Sequence, residues 1–102
     1  MDMNIKKVMA QVAMVIEERD AEVYSILIRN KKDKTKPSSI ILNEVTSLSF
    51  VQDEEFPIYT IKFIGEEVLI SNSLTESIDA LVWHAQEYID NRAYYNKIRN
   101  SI

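Results

Sequence analysis

The chain has 102 residues and a formal net charge of −4, and 46% of its residues are hydrophobic. This length is typical of one domain, here residues 1–102, and it supports a core without disulfides. The absence of cysteine excludes disulfides and thiolate metal sites and is typical of a cytoplasmic setting. No apolar run approaches the ~20 residues of a membrane span, and the acidic balance disfavours a general nucleic-acid-binding protein. We therefore expect a cytoplasmic protein with no membrane contact.

The first predicted element is a helix over residues 5–18, in which apolar side chains such as Val8 and Val12 recur at helical spacing. Apolar residues of this segment also alternate, which fits a strand leading into a hairpin at residues 19–20. Residues that favour helices dominate the segment, so the helix is preferred. The strand alternative would give a curved sheet closed by the C-terminal helix, which resembles a pleckstrin-homology-like arrangement.

Short segments rich in β-favouring residues follow, separated by polar or turn-forming residues. The one near residues 39–52 is read either as two strands or as one strand broken near Asn43 and Glu44. Gly65, the only glycine, lies between the last two segments, where we predict a tight hairpin with a positive φ at this residue. The predicted strands are residues 22–29, 39–43, 45–52, 58–64 and 67–71.

The C-terminal helix, predicted over residues 73–91, has the best-defined start in the chain. Ser73 and Glu76 match a capping box, in which the Ser73 hydroxyl accepts from the Glu76 amide while the Glu76 carboxylate reaches back. Apolar residues from Leu74 to Ile89 then build one continuous stripe at the helical period. The element order predicts an α+β fold, an antiparallel sheet of four to five strands flanked by N-terminal and C-terminal helices.

Trp83 lies nearly opposite the centre of this apolar stripe. A tryptophan exposes a large apolar surface unless something covers it, so we expect a second surface to pack there. Glu87 and Tyr94 follow along the same strip if the helix continues past Asn91. Tryptophan and tyrosine often carry the energy of interfaces, so the strip predicts binding of a protein partner or self-association. The alternative is that the N-terminal helix covers Trp83 within the monomer.

A basic segment between the first two predicted strands is the second candidate site. A loop of this charge is suited to phosphates, an acidic protein surface or a nucleic-acid groove. No aromatic residue is interleaved with the charges, so the stacking component of single-strand binding is missing locally. The alternative is a solvated loop that protects a sheet edge. The predicted anion-binding residues are Arg29, Lys31, Lys32, Lys34 and Lys36.

Catalytic and metal chemistry is disfavoured. His84 is the only histidine, and it borders the apolar stripe, so we predict a packed or half-exposed ring. The acidic run at residues 53–55 lacks the spacing of a calcium loop and is predicted to be a solvated turn. No metalloprotease, zinc-binding or phosphate-loop motif occurs. The sequence therefore predicts no catalytic residue, no metal and no cofactor.

Together these features favour a non-enzymatic protein-binding module, a small adaptor or inhibitor that acts by occlusion through Trp83, Glu87 and Tyr94. Isoleucine outnumbers leucine and lysine outnumbers arginine, which is typical of AT-rich genomes, including those of many bacterial viruses. The alternative is a nucleic-acid-associated regulatory protein that contacts phosphates through residues 29–36 and the tail cations Lys97 and Arg99. A small-ligand enzyme ranks third.

Overall fold

Residues 5–23 and 26–100, which the structure describes, form an antiparallel five-stranded sheet and three helices in a computed structural model. The predicted α+β fold is confirmed, with the strands preceded by an N-terminal helix and followed by two C-terminal helices. The elements in chain order are α1 (Ile5–Glu18), β1 (Leu27–Arg29), β2 (Pro37–Asn43), β3 (Thr46–Val51), β4 (Tyr59–Phe63), β5 (Glu66–Ser71), α2 (Leu74–Asp90) and α3 (Arg92–Asn100).

The sheet is a meander in which each strand pairs antiparallel with the next, in the order β1-β2-β3-β4-β5. Because side chains alternate along a strand, apolar residues collect on one face and serine, threonine and charged residues collect largely on the other. Helix α2 packs against β2 to β5 on the apolar face, and α1 packs beside α2. No described helix packs across the opposite face, which is called the open face below. The core includes Val8, Val12, Ile40, Leu42, Leu48, Phe50, Tyr59, Ile61, Ile78, Leu81, Val82 and Ala85.

The helical assignment of the first segment is confirmed by which side chains are buried. In a strand, Val8, Ala10, Val12 and Met14 would share one face. Instead, Val8 and Val12 are fully buried, whereas Ala10 and Met14 are exposed. This four-residue spacing is that of a helix with one side against the core. The strand alternative, and the curved sheet that depends on it, are therefore wrong.

The strand predicted over residues 22–29 is shorter than expected, since β1 covers only Leu27–Arg29. Tyr24 and Ser25 lie outside the described residues. The backbone just before them bonds to helices instead of to a strand: the Ala21 amide donates to the Ile16 carbonyl at 2.9 Å. The Glu22 amide donates to Gln86 Oε1 of α2 at 2.6 Å. The first bond is local and closes the end of α1, whereas the second is a tertiary bond that engages the first residue of the predicted strand.

The segment around residues 39–52 forms two strands, and Asn43 sets the turn between them. Its Oδ1 accepts a hydrogen bond from the Val45 amide at 3.0 Å, which is the side-chain-to-backbone contact of an Asx turn. Its Nδ2 donates to the Ala85 carbonyl of α2 at 3.4 Å. The β2–β3 turn is therefore tied to the helix layer.

Helix α2 begins as predicted, with Ser73 as its N-cap residue. Ser73 Oγ accepts from the Glu76 amide at 3.2 Å. The return half of the capping box was predicted wrongly. The Ser73 amide donates to Ser71 Oγ at 3.0 Å, and Ser71 Oγ donates to Glu76 Oε2 at 2.9 Å. Ser71, the last residue of β5, therefore relays the contact that Glu76 was expected to make directly.

Replacing Ser73 by alanine is expected to lower the free energy of unfolding by about 0.5–2 kcal/mol, because the Glu76 amide loses its acceptor. Urea denaturation followed by circular dichroism measures the change. Thr75→Ala, an exposed position in the same turn, is the matched control. An unchanged midpoint in Ser73→Ala would contradict the capping role.

The β4–β5 hairpin turns through Ile64 and Gly65, both with positive φ, at 52° and 77°. The positive φ predicted for Gly65 is confirmed. That of Ile64 was not predicted, and a β-branched residue is poorly suited to this conformation. The Ile64 amide donates to the Val45 carbonyl at 3.0 Å, so the strained turn is held against the β2–β3 turn.

Gly65→Val is expected to lower the free energy of unfolding by roughly 1–2 kcal/mol, because side chains with a Cβ are disfavoured at left-handed φ. Nothing lies within 4 Å of a Cβ built on Gly65, so the cost comes from the backbone and not from a clash. Ile64→Asn should have the opposite sign, since Asn-Gly is a favoured pair in such turns. The urea midpoint should fall in Gly65→Val and rise in Ile64→Asn. A shift of both midpoints in the same direction would contradict the turn assignment.

Candidate binding surfaces

Trp83 lies on the side of α2 that faces away from the core, and its side chain is 56% exposed. Leu81, Val82 and Ala85 of the same helix are buried against the sheet, so one helix cannot bury both sides in that core. Helix α1 leaves the indole more than half exposed, although Arg19, just after α1, pairs at 2.5 Å with Asp79, one turn before Trp83 on α2. Within residues 5–23 and 26–100, Trp83 therefore remains an exposed aromatic surface.

The indole is continuous with a row of other rings. Trp83 contacts His84 edge to face with ring centroids 5.0 Å apart, and His84 lies 4.9 Å from Phe63. Phe63 contacts Tyr95 at 5.2 Å, and Tyr95 contacts Tyr94 at 5.2 Å. Phe63, at the end of β4, is nearly buried and anchors the row to the sheet. Three of these contacts are edge-on and the one between His84 and Phe63 is tilted, and such ring contacts stabilise a defined arrangement of the side chains.

Glu87 and Tyr94 belong to the same surface as Trp83, although not along one continuous helix. Helix α2 ends at the C-cap Asn91, and α3 starts a new helix after it. As a result Tyr95, not Tyr94, lies next to Glu87, and its hydroxyl donates to Glu87 Oε1 at 3.1 Å. Tyr94 is 62% exposed and packs against Tyr95. The aromatic surface is defined here as Trp83, His84, Glu87, Tyr94 and Tyr95.

His84 is half-buried within the aromatic surface, as predicted. Burial lowers the pKa of the imidazole from its ordinary value of 6.5, and the nearby Glu87 carboxylate opposes this only partly. Its Nδ1 is buried and has no hydrogen-bond partner among the described residues. The ring is therefore held in its neutral form at pH 7.

Lowering the pH from about 7.5 to about 5.5 is expected to reduce the free energy of unfolding, and His84→Gln should remove that dependence. Since folding lowers the pKa of His84, the unfolded chain takes up a proton that the folded ring disfavours. The free energy of unfolding is therefore highest above the ordinary histidine pKa of 6.5, and it decreases as the pH falls below that value. Urea midpoints at several pH values, with an NMR titration of the ring, measure both effects. A slope that persists in His84→Gln would assign the dependence to other groups.

The predicted basic site separates into two parts. Lys31, Lys32, Lys34 and Lys36 are exposed on the loop between β1 and β2, called the basic loop below. Asp33 within it accepts hydrogen bonds from the Thr35 hydroxyl and amide, which lower the pKa of its carboxyl, so the loop turns around this residue. Arg29 lies apart from these lysines, on β1.

The side chain of Arg29 lies with those of Ser39 and Ser49 along the open face of the sheet. A groove of about 600 Å³, called the open-face groove below, occupies this face. Arg99 of α3, one of the two tail cations predicted to contact phosphates, lies at one end of the groove, next to the β2–β3 turn. Lys62 of β4 was not predicted as part of any site. The lining of the groove also includes Ile41, Glu44, Ser47 and Ile64.

Arg99 is held in place by a polar cluster around Tyr88. Arg99 Nη1 donates to Tyr88 Oη and to Asn96 Oδ1, both at 3.2 Å, and lies 3.7 Å from Glu44 Oε1. Tyr88 Oη also lies 2.5 Å from Glu44 Oε1 and 2.8 Å from Asn96 Oδ1, so its proton is shared between two acceptors. Burial and the Glu44 carboxylate raise the pKa of the Tyr88 hydroxyl. This cluster connects α3 to both α2 and the β2–β3 turn.

Comparison of the chain with protein-family models, curated proteins and solved structures finds no match. None of the helices that the structure describes combines the length and the hydropathy needed to cross a membrane. Over the same described residues, no three potential metal-ligating side chains gather in one place. The acidic run at residues 53–55 is exposed, as expected for a solvated turn.

Proposed function

We propose that the protein is a non-enzymatic protein-binding module of the cytoplasm, an adaptor or inhibitor that acts by occlusion. The observation that carries the proposal is the exposure of Trp83 on a helix whose opposite side is buried in the core. Aromatic side chains supply large, rigid contact area at a low cost in conformational entropy, and a partner that covers them gains that area. An accessory role for a virus or mobile element would agree with the compositional bias.

The charge of the aromatic surface favours a different protein over a second copy of this chain. Glu87 lies within the surface, and the exposed Asp90 follows on the same side of α2. In a two-fold symmetric dimer with its axis near these carboxylates, they would face their own copies, and such like-charge contacts are unfavourable. A partner with an apolar centre and arginine or lysine at its rim would instead pair with the carboxylates and with the ring faces.

The environment of His84 supports a role without catalysis. In a nucleophilic triad, one imidazole nitrogen is hydrogen-bonded to an orienting group and the other to the nucleophile. Among the described residues, Nδ1 of His84 has no such partner, and the ring packs between Phe63 and Trp83. The aromatic packing of this histidine is that of an interface or core residue.

A nucleic-acid-associated regulatory role through residues 29–36 is the second candidate. The exposure of all four lysines of the basic loop favours it, since cations must face the solvent to contact the phosphates of a nucleic acid. The acidic balance of the chain and the lack of aromatic side chains in the loop disfavour it. We therefore rank it below the protein-binding role.

Affinity capture from a lysate of the source organism, with mass spectrometry, tests the proposal. Wild type should retain a specific protein that Trp83→Ala fails to retain. Phe56→Ala is the matched control, because Phe56 is 80% exposed. It lies in the loop before β4, whereas Phe63, which anchors the row of rings, is the last residue of that strand. Loss of the same protein from both variants, or from neither, would contradict an interface at the aromatic surface. High-salt washes should leave the capture intact, in contrast to phosphate-driven binding.

A further inference from the structure

The open face of the sheet carries a row of hydroxyl groups that starts at a cation. Arg29 pairs with Ser39, Ser39 with Ser49, and Ser49 with Thr60, so these four side chains cross four adjacent strands. Directly opposed side chains in an antiparallel pair have Cβ atoms about 4.5–5.5 Å apart. The row is therefore a continuous line of hydrogen-bond donors next to a guanidinium.

The neighbouring row brings a second cation to the same face. Ile41 pairs with Ser47, and Ser47 pairs with Lys62 of β4. Over residues 5–23 and 26–100, the side chains of Arg29 and Lys62 form no hydrogen bond or ion pair with the protein. Arg99 closes one end of the groove, and there Glu44 is already engaged by Tyr88 and Arg99. Glu67 of β5 lies directly opposite Lys62, but the two form no ion pair, so Arg29 and Lys62 remain unpaired cations above a floor of serine hydroxyls.

We propose that the open-face groove binds a small ligand that carries two or more linked phosphate groups. Arginine offers five N–H donors, lysine three and each serine hydroxyl one, and none of these donors from Arg29, Lys62, Ser39, Ser47 or Ser49 is used within the described protein. A single carboxylate has too few acceptor oxygens to satisfy them. In a ligand with linked phosphates, each phosphate group has several acceptor oxygens, so different groups can contact cations on separate strands.

The shape and composition of the groove favour a small ligand over a nucleic acid strand. Its volume of about 600 Å³ is in the range of small-molecule sites. None of the described side chains that line the groove is aromatic, so they offer no platform on which bases could stack. The apolar lining, which includes Ile41 and Ile64, can contact an uncharged portion of the ligand. The groove lies on the face of the sheet opposite α2, so this proposal does not depend on the protein-binding role.

Titration of the ¹⁵N-labelled protein with tripolyphosphate at constant ionic strength tests the proposal. The amides of β2, β3 and β4 along the groove should shift, and the Trp83 indole should not. Arg29→Gln/Lys62→Gln should weaken binding by about tenfold or more, because it removes two charge-assisted contacts. Lys32→Gln/Lys34→Gln, which loses the same charge from the basic loop, should weaken it by less than about twofold, as expected of exposed, screened charges that do not line the groove.

Equal weakening in the two double variants would overturn the proposal, because it would indicate diffuse attraction to positive charge. Saturation without shifts along the groove would overturn it as well. Ser49→Ala should weaken binding with an unchanged urea midpoint, since only a hydroxyl on the open face is lost. A thymidine oligonucleotide is the remaining arm. If it binds at the groove while tripolyphosphate does not, the site accommodates a strand, and the small-ligand proposal is wrong.

Discussion

Replacing Tyr88 by alanine is expected to lower the free energy of unfolding by about 3–5 kcal/mol, the usual cost of truncating a buried aromatic residue. Tyr88 is fully buried, so the truncation leaves a cavity under α2. The same change removes the hydroxyl that joins Glu44, Asn96 and Arg99. For a small domain with a total stability of roughly 5–15 kcal/mol, this loss is large.

Tyr88→Phe separates the two contributions, because it keeps the ring and removes only the hydroxyl. We expect a loss of about 1–3 kcal/mol, since the polar partners of that hydroxyl are left incompletely paired. Urea denaturation gives the midpoint, and hydrogen exchange reports on the amides of α3. Faster exchange in α3 than in α1 would show that the polar cluster holds this helix. Unchanged exchange in α3 would contradict its role as the attachment point.

Replacing Trp83 by alanine is expected to weaken binding of the captured partner by about 30-fold or more, which corresponds to a hot-spot contribution of ~2 kcal/mol. The folded monomer should persist, with the free energy of unfolding changed by less than about 0.5 kcal/mol, as is usual for exposed positions. Isothermal titration with the purified partner and thermal unfolding of the free protein measure the two quantities. Trp83→Phe should lie between wild type and alanine, because it keeps part of the apolar area.

Sedimentation of wild type and Trp83→Ala distinguishes the remaining outcomes. A wild-type dimer that becomes a monomer in Trp83→Ala would make a second copy of the chain the occupant of the aromatic surface. A monomer that unfolds on substitution would instead assign the indole to the core. Ile70→Ala is the control for loss of an exposed apolar side chain, since Ile70 is 61% exposed on β5 and pairs with Thr60 of the open face.

Features that depend on neighbouring residues could be predicted from the sequence. The serine cap at Ser73, the helical spacing of Val8 and Val12, and the positive φ at Gly65 all follow from interactions within one turn of chain. The exposure of Trp83 was predictable for the same reason, because its angle relative to the core residues of α2 is a local property.

Features that join distant residues were decided only by the tertiary structure. Arg29, Lys62 and Arg99 come from β1, β4 and α3, and they line one groove because of the strand order and register. Periodicity predicts which face of an element is apolar, but it carries no information on which strands become neighbours. The capture of the Glu22 amide by Gln86, which accompanies the short β1, is likewise a long-range contact. Local patterns thus determined the elements and the exposed tryptophan, whereas pairing across the sheet decided which charges share a site.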